Sequence, residues 1–192
     1  MKSVGVQGLA LALVGLCVAG SAVAQRASES RWMVAGSVGG ASAARSLASG
    51  ADWRTGWSAG ANLTYWLGSN LGVRGTATFT RNDLRGSTGS LAAGTFNKFS
   101  YVGEAVLRAR GAGMRTFEPY ALGGLGAVSV HEKGSDSTFT RFAGDVGAGV
   151  GYRLGRLGLR AEGRDVMYKF DRYGVDRAQQ DVVWDGGVTI RL

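Results

Sequence analysis

Residues Asp181–Leu192 read DVVWDGGVTIRL, and alternate positions fall into two unlike sets. Val182, Trp184, Gly186, Val188, Ile190 and Leu192 carry no charge, whereas Asp181, Asp185 and Arg191 share the other side with Val183, Gly187 and Thr189. A period of two marks an extended strand whose faces meet different surroundings. The fold depends on what those surroundings are.

Seven further segments show the same period, bounded by Gly, Asn, Asp and Ser clusters as strands are. The first, about Trp32 to Gly39, places Trp32, Val34, Gly36 and Val38 on one face. The second sets Trp57, Ala59, Ala61, Leu63, Tyr65 and Leu67 against Ser58, Gly60, Asn62 and Thr64. In the third, Leu71, Val73, Gly75, Ala77 and Phe79 oppose Arg74, Thr76, Thr78 and Thr80; in the fourth, Phe99, Tyr101, Gly103, Ala105, Leu107 and Ala109 oppose Lys98, Ser100, Glu104, Arg108 and Arg110. The fifth gives Tyr120, Leu122, Gly124, Gly126, Val128 and Val130 as its apolar face, with Ala121, Gly123, Leu125, Ala127, Ser129 and His131 opposite. The sixth sets Phe142, Gly144, Val146, Ala148, Val150, Tyr152 and Leu154 against Arg141, Asp145, Gly147, Gly149 and Arg153. In the seventh, Leu157, Leu159, Ala161 and Gly163 oppose Arg160, Glu162 and Arg164, and Asp165 then interrupts the pattern, which predicts a bulge or the level of an interface.

The connections alternate in length. Those after the second, fourth and sixth segments are short (LGSN, GAGMRT and LGR), while those around residues 40 to 54, 82 to 95, 131 to 138 and 170 to 179 are longer and polar. Short turns on one rim and longer loops on the other are the pattern of outer-membrane barrels, whose short rim is periplasmic.

Composition agrees with strands. Of 192 residues 33 are Gly and one is Pro, and Gly costs about 1 kcal/mol against Ala inside a helix. Residues 1 to 24 are of another kind: Lys2, the apolar run VGVQGLALALVGLCVAG, and Ala22 and Ala24 as a small-x-small cleavage site. This predicts a Sec signal peptide over 1–24 and a mature domain over 25–192. A membrane anchor would need about 20 apolar residues without such a site, and a lipobox would need a small residue where Leu16 precedes Cys17. The mature chain then has no cysteine and keeps its basic excess, which reads as a solvated basic surface.

Magnitudes choose between a dry core and lipid. An Arg on lipid costs roughly 2–4 kcal/mol at the midplane, yet Arg74, Glu104, Arg108, Asp145, Arg160, Glu162, Arg164, Asp185 and Arg191 recur on one face at mid-strand. Inside a narrow barrel they can pair. The apolar faces are rich in Gly, which would fill a soluble core poorly, since each missing methylene forgoes about 0.8 kcal/mol. They also end in aromatics (Trp57, Tyr65, Phe79, Phe99, Tyr120, Phe142, Tyr152, Trp184), as interfacial girdles do. The expected fold is all-β, an eight-stranded antiparallel up-and-down transmembrane β-barrel.

On these residues the chain resembles the small outer-membrane β-barrel proteins, the family of the outer membrane protein A transmembrane domain and the outer membrane protein X type. The stretches EPYALGGLGAV (118 to 128), FAGDVGAGVGYRLGRLGLRAEGRD (142 to 165) and the last strand carry the likeness. Family members commonly end on an aromatic residue that the assembly machinery recognises, where this sequence has Leu192. The resemblance implies an integral protein of a Gram-negative outer membrane, meeting outer-membrane lipid and lipopolysaccharide, inserted by the barrel assembly machinery through its last strand, and monomeric.

Chemistry beyond this is sparse. Eight strands enclose an interior that side chains nearly fill, so the nine charges named above are expected to form a lumenal network that plugs the barrel; the alternative is a narrow porin-like channel for ions or small solutes. His131, the one His, lies two residues from Ser129 and beside Glu132. A catalytic Ser needs a base within about 3 Å and an acid orienting it. That constellation is known in outer-membrane lipid A deacylases, but the fifth segment's pattern puts Ser129 and His131 on the lumenal face with Glu132 opposed, so no catalytic residue is expected. Zinc spacing, a Walker loop and a dinucleotide fingerprint are missing, GGLGAV and GAGVG being Gly within strands. No metal, cofactor or nucleic acid is expected. Arg45, Arg54, Arg81, Arg85, Arg172 and Arg177 alternate with Asp52, Asp83, Asp171 and Asp176 in the loops, as on a solvated mixed surface. A soluble periplasmic lipocalin-like carrier would require these strands with their charges outward.

Overall fold

The computed structural model describes residues 31–44, 52–85, 94–109, 116–132, 138–172 and 175–192. Eight long strands run through them: β1 (Trp32–Ala43), β2 (Gly56–Trp66), β3 (Leu71–Arg85), β4 (Gly94–Arg108), β5 (Phe117–Glu132), β6 (Thr138–Leu154), β7 (Leu157–Arg172) and β8 (Val175–Arg191). A two-residue ladder, Asp52–Trp53 against Arg85 and Leu84, lengthens the pairing on the long-loop side of β3. Every strand pairs antiparallel with its sequence neighbours. β1 also pairs with β8, from Met33↔Arg191 to Ala43↔Asp181. The sheet is therefore closed, as predicted, and closure removes the edges that an open sheet must hide. The proposed signal peptide lies outside the described residues.

Charges point inward and apolar side chains outward over most of the strand length. Val38, Leu63, Val73, Leu107, Leu125, Val146 and Leu159 stand exposed on the outer surface, whereas Arg74, Glu104, Asp145, Glu162, Arg164 and Asp185 are buried. This is the reverse of a soluble carrier. Two aromatic groups mark the belt. Trp57, Phe79, Phe99 and Tyr101 contact one another in series at centroid separations of 5.3, 6.4 and 4.8 Å, and Trp32 meets Tyr65 at 4.8 Å near the short-turn rim.

Beyond the first group the polarity inverts. Towards the long-loop rim the interior is apolar, with Leu84, Phe96, Val128, Val130, Phe139, Val166, Tyr168 and Val183 buried together. The outward positions there are Arg81, Asp83, Asn97, Ser129, His131, Thr140, Asp165 and Lys169. That end of the barrel is built like a small soluble one, with a dry core and a wet exterior. Asp165 accordingly marks the boundary and no bulge: the β7 registers with β6 and β8 are unbroken there, and Gln180 donates to its carboxylate at 3.4 Å.

Two expectations need correction. The polar stretch at 170 to 179 is mostly strand, since β7 and β8 stay paired out to Arg172↔Val175, and strand also reaches into both ends of the stretch at 131 to 138, where β5 continues to Glu132 and β6 begins at Thr138. Ladder hydrogen bonds hold a strand in water whatever its side chains, so polarity on both faces did not end them. The faces of β5 are also exchanged. Tyr120, Leu122, Gly124, Gly126, Val128 and Val130 point into the barrel; Leu125, 63% exposed, points out with Ala121, Ser129 and His131. The register decides this, because Glu104 pairs with Gly124 and Lys98 with Val130, and directly opposed residues share a face. Gly124 gives room rather than lipid contact: a Cβ there would lie 2.8 Å from Glu104 Cγ and 2.9 Å from Asp145 Oδ1. The short β6–β7 turn needs its Gly for another reason, the left-handed backbone of Gly155 (φ 68°).

Candidate functional site

The barrel interior is the candidate site, and it is stacked in layers. Midway, Arg74 on β3 donates through Nε to Glu104 of β4, and through Nη1 and Nη2 to Glu162 of β7 across the lumen at 2.7 and 3.0 Å. Thr76 gives Glu104 a further hydrogen bond at 2.7 Å, and Tyr120 gives Glu162 one at 2.6 Å. Arg160 Nη2 reaches Asp185 at 3.3 Å and Ser37 at 3.1 Å. Arg164 lies 3.1 Å from Glu162, 3.6 Å from both Glu104 and Asp185, and 3.9 Å from Asp145, whose own oxygens accept no hydrogen bond.

Thus seven of the nine expected residues, Arg74, Glu104, Asp145, Arg160, Glu162, Arg164 and Asp185, form one buried group of three guanidiniums and four carboxylates. Arg108 and Arg191 do not join it. They lie at the short-turn mouth with two residues that the sequence reading did not select, Glu118 and Arg153. Arg191 Nη2 donates to both Glu118 oxygens at 3.0 and 3.3 Å, Arg153 Nη2 donates to one of them, and Arg108 Nη1 is 3.9 Å away. Arg108 also donates to the Ser69 carbonyl at 2.7 Å and places its guanidinium 3.5 Å from the Trp66 ring centroid. Glu118 was missed because β5 was read inside out; its parity with Arg108, two residues from the Arg108↔Tyr120 pair, would have needed the register.

A third polar group lies above the network. Lys98 donates to Asp181 at 2.5 Å and Tyr168 to the same carboxylate at 3.1 Å, directly beneath the apolar cluster that contains Phe96 and Phe139. From the short-turn rim upward the lumen therefore runs from an open mouth, through two ionic layers, to a buried apolar segment. The mouth is a recess partly open to solvent, with Thr64, Trp66, Arg153 and Arg191 in its wall.

Ser129 and His131 stand on the outer surface, contrary to the expected lumenal placement. Their neighbours are the hydroxyls of the next strand: Ser129 Oγ meets Thr140 at 2.8 Å, and His131 Nδ1 meets Thr138 at 2.9 Å. The side chain of Glu132 lies outside the described residues. Among the described residues no cluster of His, Cys, Asp and Glu has the makings of a metal site.

The family model described as "Outer membrane protein beta-barrel domain" matches residues 9–191. No curated protein matches the chain. Solved structures do. Neisserial surface protein A aligns with a TM-score of 0.62 at 21% identity, over 85% of this chain and 98% of that one. Ail, the attachment invasion locus protein of Yersinia pestis, solved with the heparin analogue sucrose octasulfate, aligns at 0.51 and 16% identity, over 84% and 99%. The outer membrane protein OprG of Pseudomonas aeruginosa aligns at 0.51 and 13%, over 84% and 95%. At such identities these likenesses concern the fold.

Proposed function

This chain belongs to the outer membrane protein beta-barrel domain family, and on that basis we propose that it is a non-conducting, non-enzymatic barrel with a structural or surface role in the outer membrane. The observation that supports this best is the lumen: Arg74 joined to Glu104 and Glu162 in the middle, and Phe96 and Phe139 packed above Lys98 and Asp181. An ion crossing from the mouth would have to break a buried ion-pair network and then enter a dry apolar segment, and these barriers act in series. A narrow channel would need both to move. Reconstituted in a planar bilayer, the purified barrel is expected to give no discrete current steps; reproducible ohmic steps from heat-modifiable protein would establish the channel reading instead.

Catalysis has no support from the outer face, where His131 is engaged by Thr138 and Ser129 by Thr140. Cells expressing the wild-type chain or His131→Ala are expected to give identical lipid A mass spectra. A species present only with the wild type would contradict this. Sec export with removal of residues 1–24, contact with lipopolysaccharide around the outer rim, insertion by the assembly machinery through β8, and a monomeric state belong to the same proposal. The polar collar that carries Arg81, Lys169, Asp83 and Asp165 above the aromatic group is the surface it would present.

A further inference from the structure

The mouth differs from the layers above it in both charge and hydrogen-bond balance. In mid-barrel three guanidiniums meet four carboxylates. Among the described residues at the mouth, Arg108, Arg153 and Arg191 converge on one carboxylate, that of Glu118. These guanidiniums sit in a cup open to solvent on one side, with low-dielectric walls that focus the field of such a group.

The same wall holds donors without acceptors. Thr64, 1% exposed, has its hydroxyl unpartnered, and Trp66, 7% exposed, has its indole N–H unpartnered; Arg153 Nε is a third buried donor with no acceptor. An indole and a guanidinium can only donate. Water can satisfy one such group, but it does not balance charge. A group that does both carries several lone pairs and a negative charge, and the planar guanidinium fork is matched to carboxylate and phosphate oxygens. We propose that the short-turn mouth is a binding site for a small oxyanion of the phosphate or carboxylate class, held among Arg108, Arg153 and Arg191 with Thr64 and Trp66 as neutral donors. Glu118 is then an internal competitor that holds the three arginines in place when the site is empty.

The test uses the full mature barrel in a maltoside detergent, which has no phosphate of its own. The indole N–H resonance of Trp66, assigned with Trp66→Phe, is followed while inorganic phosphate is added, with chloride at matched ionic strength as control. A saturable shift with phosphate and none with chloride is expected. Arg191→Gln is expected to raise the half-saturating concentration at least fivefold. Glu118→Gln, which removes no guanidinium, is expected to lower it at least threefold, an outcome that a misfolded variant cannot mimic. A wild-type resonance that moves no more with phosphate than with chloride overturns the proposal, as does a saturable shift indifferent to Arg191→Gln and Glu118→Gln. A last arm separates the sources of the oxyanion. If phosphatidylglycerol added to the micelles shifts the resonance saturably while free phosphate competes poorly with it, the site takes a lipid headgroup; if free phosphate displaces it readily, the ligand is a solute.

Discussion

Arg74→Met is expected to lower the unfolding free energy of the barrel by about 3–5 kcal/mol, the usual result of removing one partner from a buried ionic group. Arg74 is 5% exposed and its side chain donates three hydrogen bonds to two carboxylates. Met fills similar volume but leaves Glu104 and Glu162 buried without their main counter-charge. Against a total stability of roughly 5–15 kcal/mol, that is a large fraction. The triple variant with Glu104→Gln and Glu162→Gln as well is expected to recover much of the loss, because intact buried pairs add little net stability over neutral replacements. Guanidinium unfolding in short-chain lipid bilayers, followed by tryptophan fluorescence and by the unheated gel band, measures both. A loss below about 1 kcal/mol for Arg74→Met would mean that water reaches this layer and that the lumen is not plugged there.

The second large effect concerns the outer surface. Ala121 faces out from β5, between the exposed Phe117 and Leu125, near the middle of the apolar belt. Ala121→Arg is expected to destabilise by about 2–4 kcal/mol, as for an Arg near the bilayer midplane. Ser129→Arg, on the same face but above the aromatic group, is expected to change stability by no more than about 0.5 kcal/mol. Equal effects at the two sites would mean that the belt is misplaced along β5. A tolerated Ala121→Arg would restore the inward orientation that the bare sequence suggested.

The exchange of faces in β5 shows where the sequence stops being informative. In β3 and β7 a single charge at mid-strand, Arg74 or Glu162, assigns both faces at once, because lipid excludes one of the two answers. Between Pro119 and Ser129 the β5 sequence is apolar throughout, so alternation offers two equivalent solutions. Only the pairing of Gly124 with Glu104 chooses between them. The buried apolar segment was hidden for a related reason. Phe139 and Phe142, or Val182 and Val183, are apolar on opposite faces of one strand, and period two does not say which of them meets lipid. Seven members of the central network were legible because each is a charge that can only face inward. Glu118 and Arg153 were not selected, because their importance lies in convergence on Arg108 and Arg191 from other strands.

The seam between β1 and β8 has a kinetic meaning. Each of the other pairings joins strands adjacent in sequence and can form as a hairpin while the remainder of the chain is still unfolded, but Met33 must find Arg191. The added entropy is small, since each doubling of a loop costs only about 0.6 kcal/mol. The hazard lies in the waiting time. Until the seam forms, β1 and β8 are two long unpaired edges with exposed apolar side chains, each a template for pairing with another chain. Productive folding is thus a race between ring closure and intermolecular strand exchange, and anything that holds β8 beside β1 during insertion favours closure without altering the finished barrel.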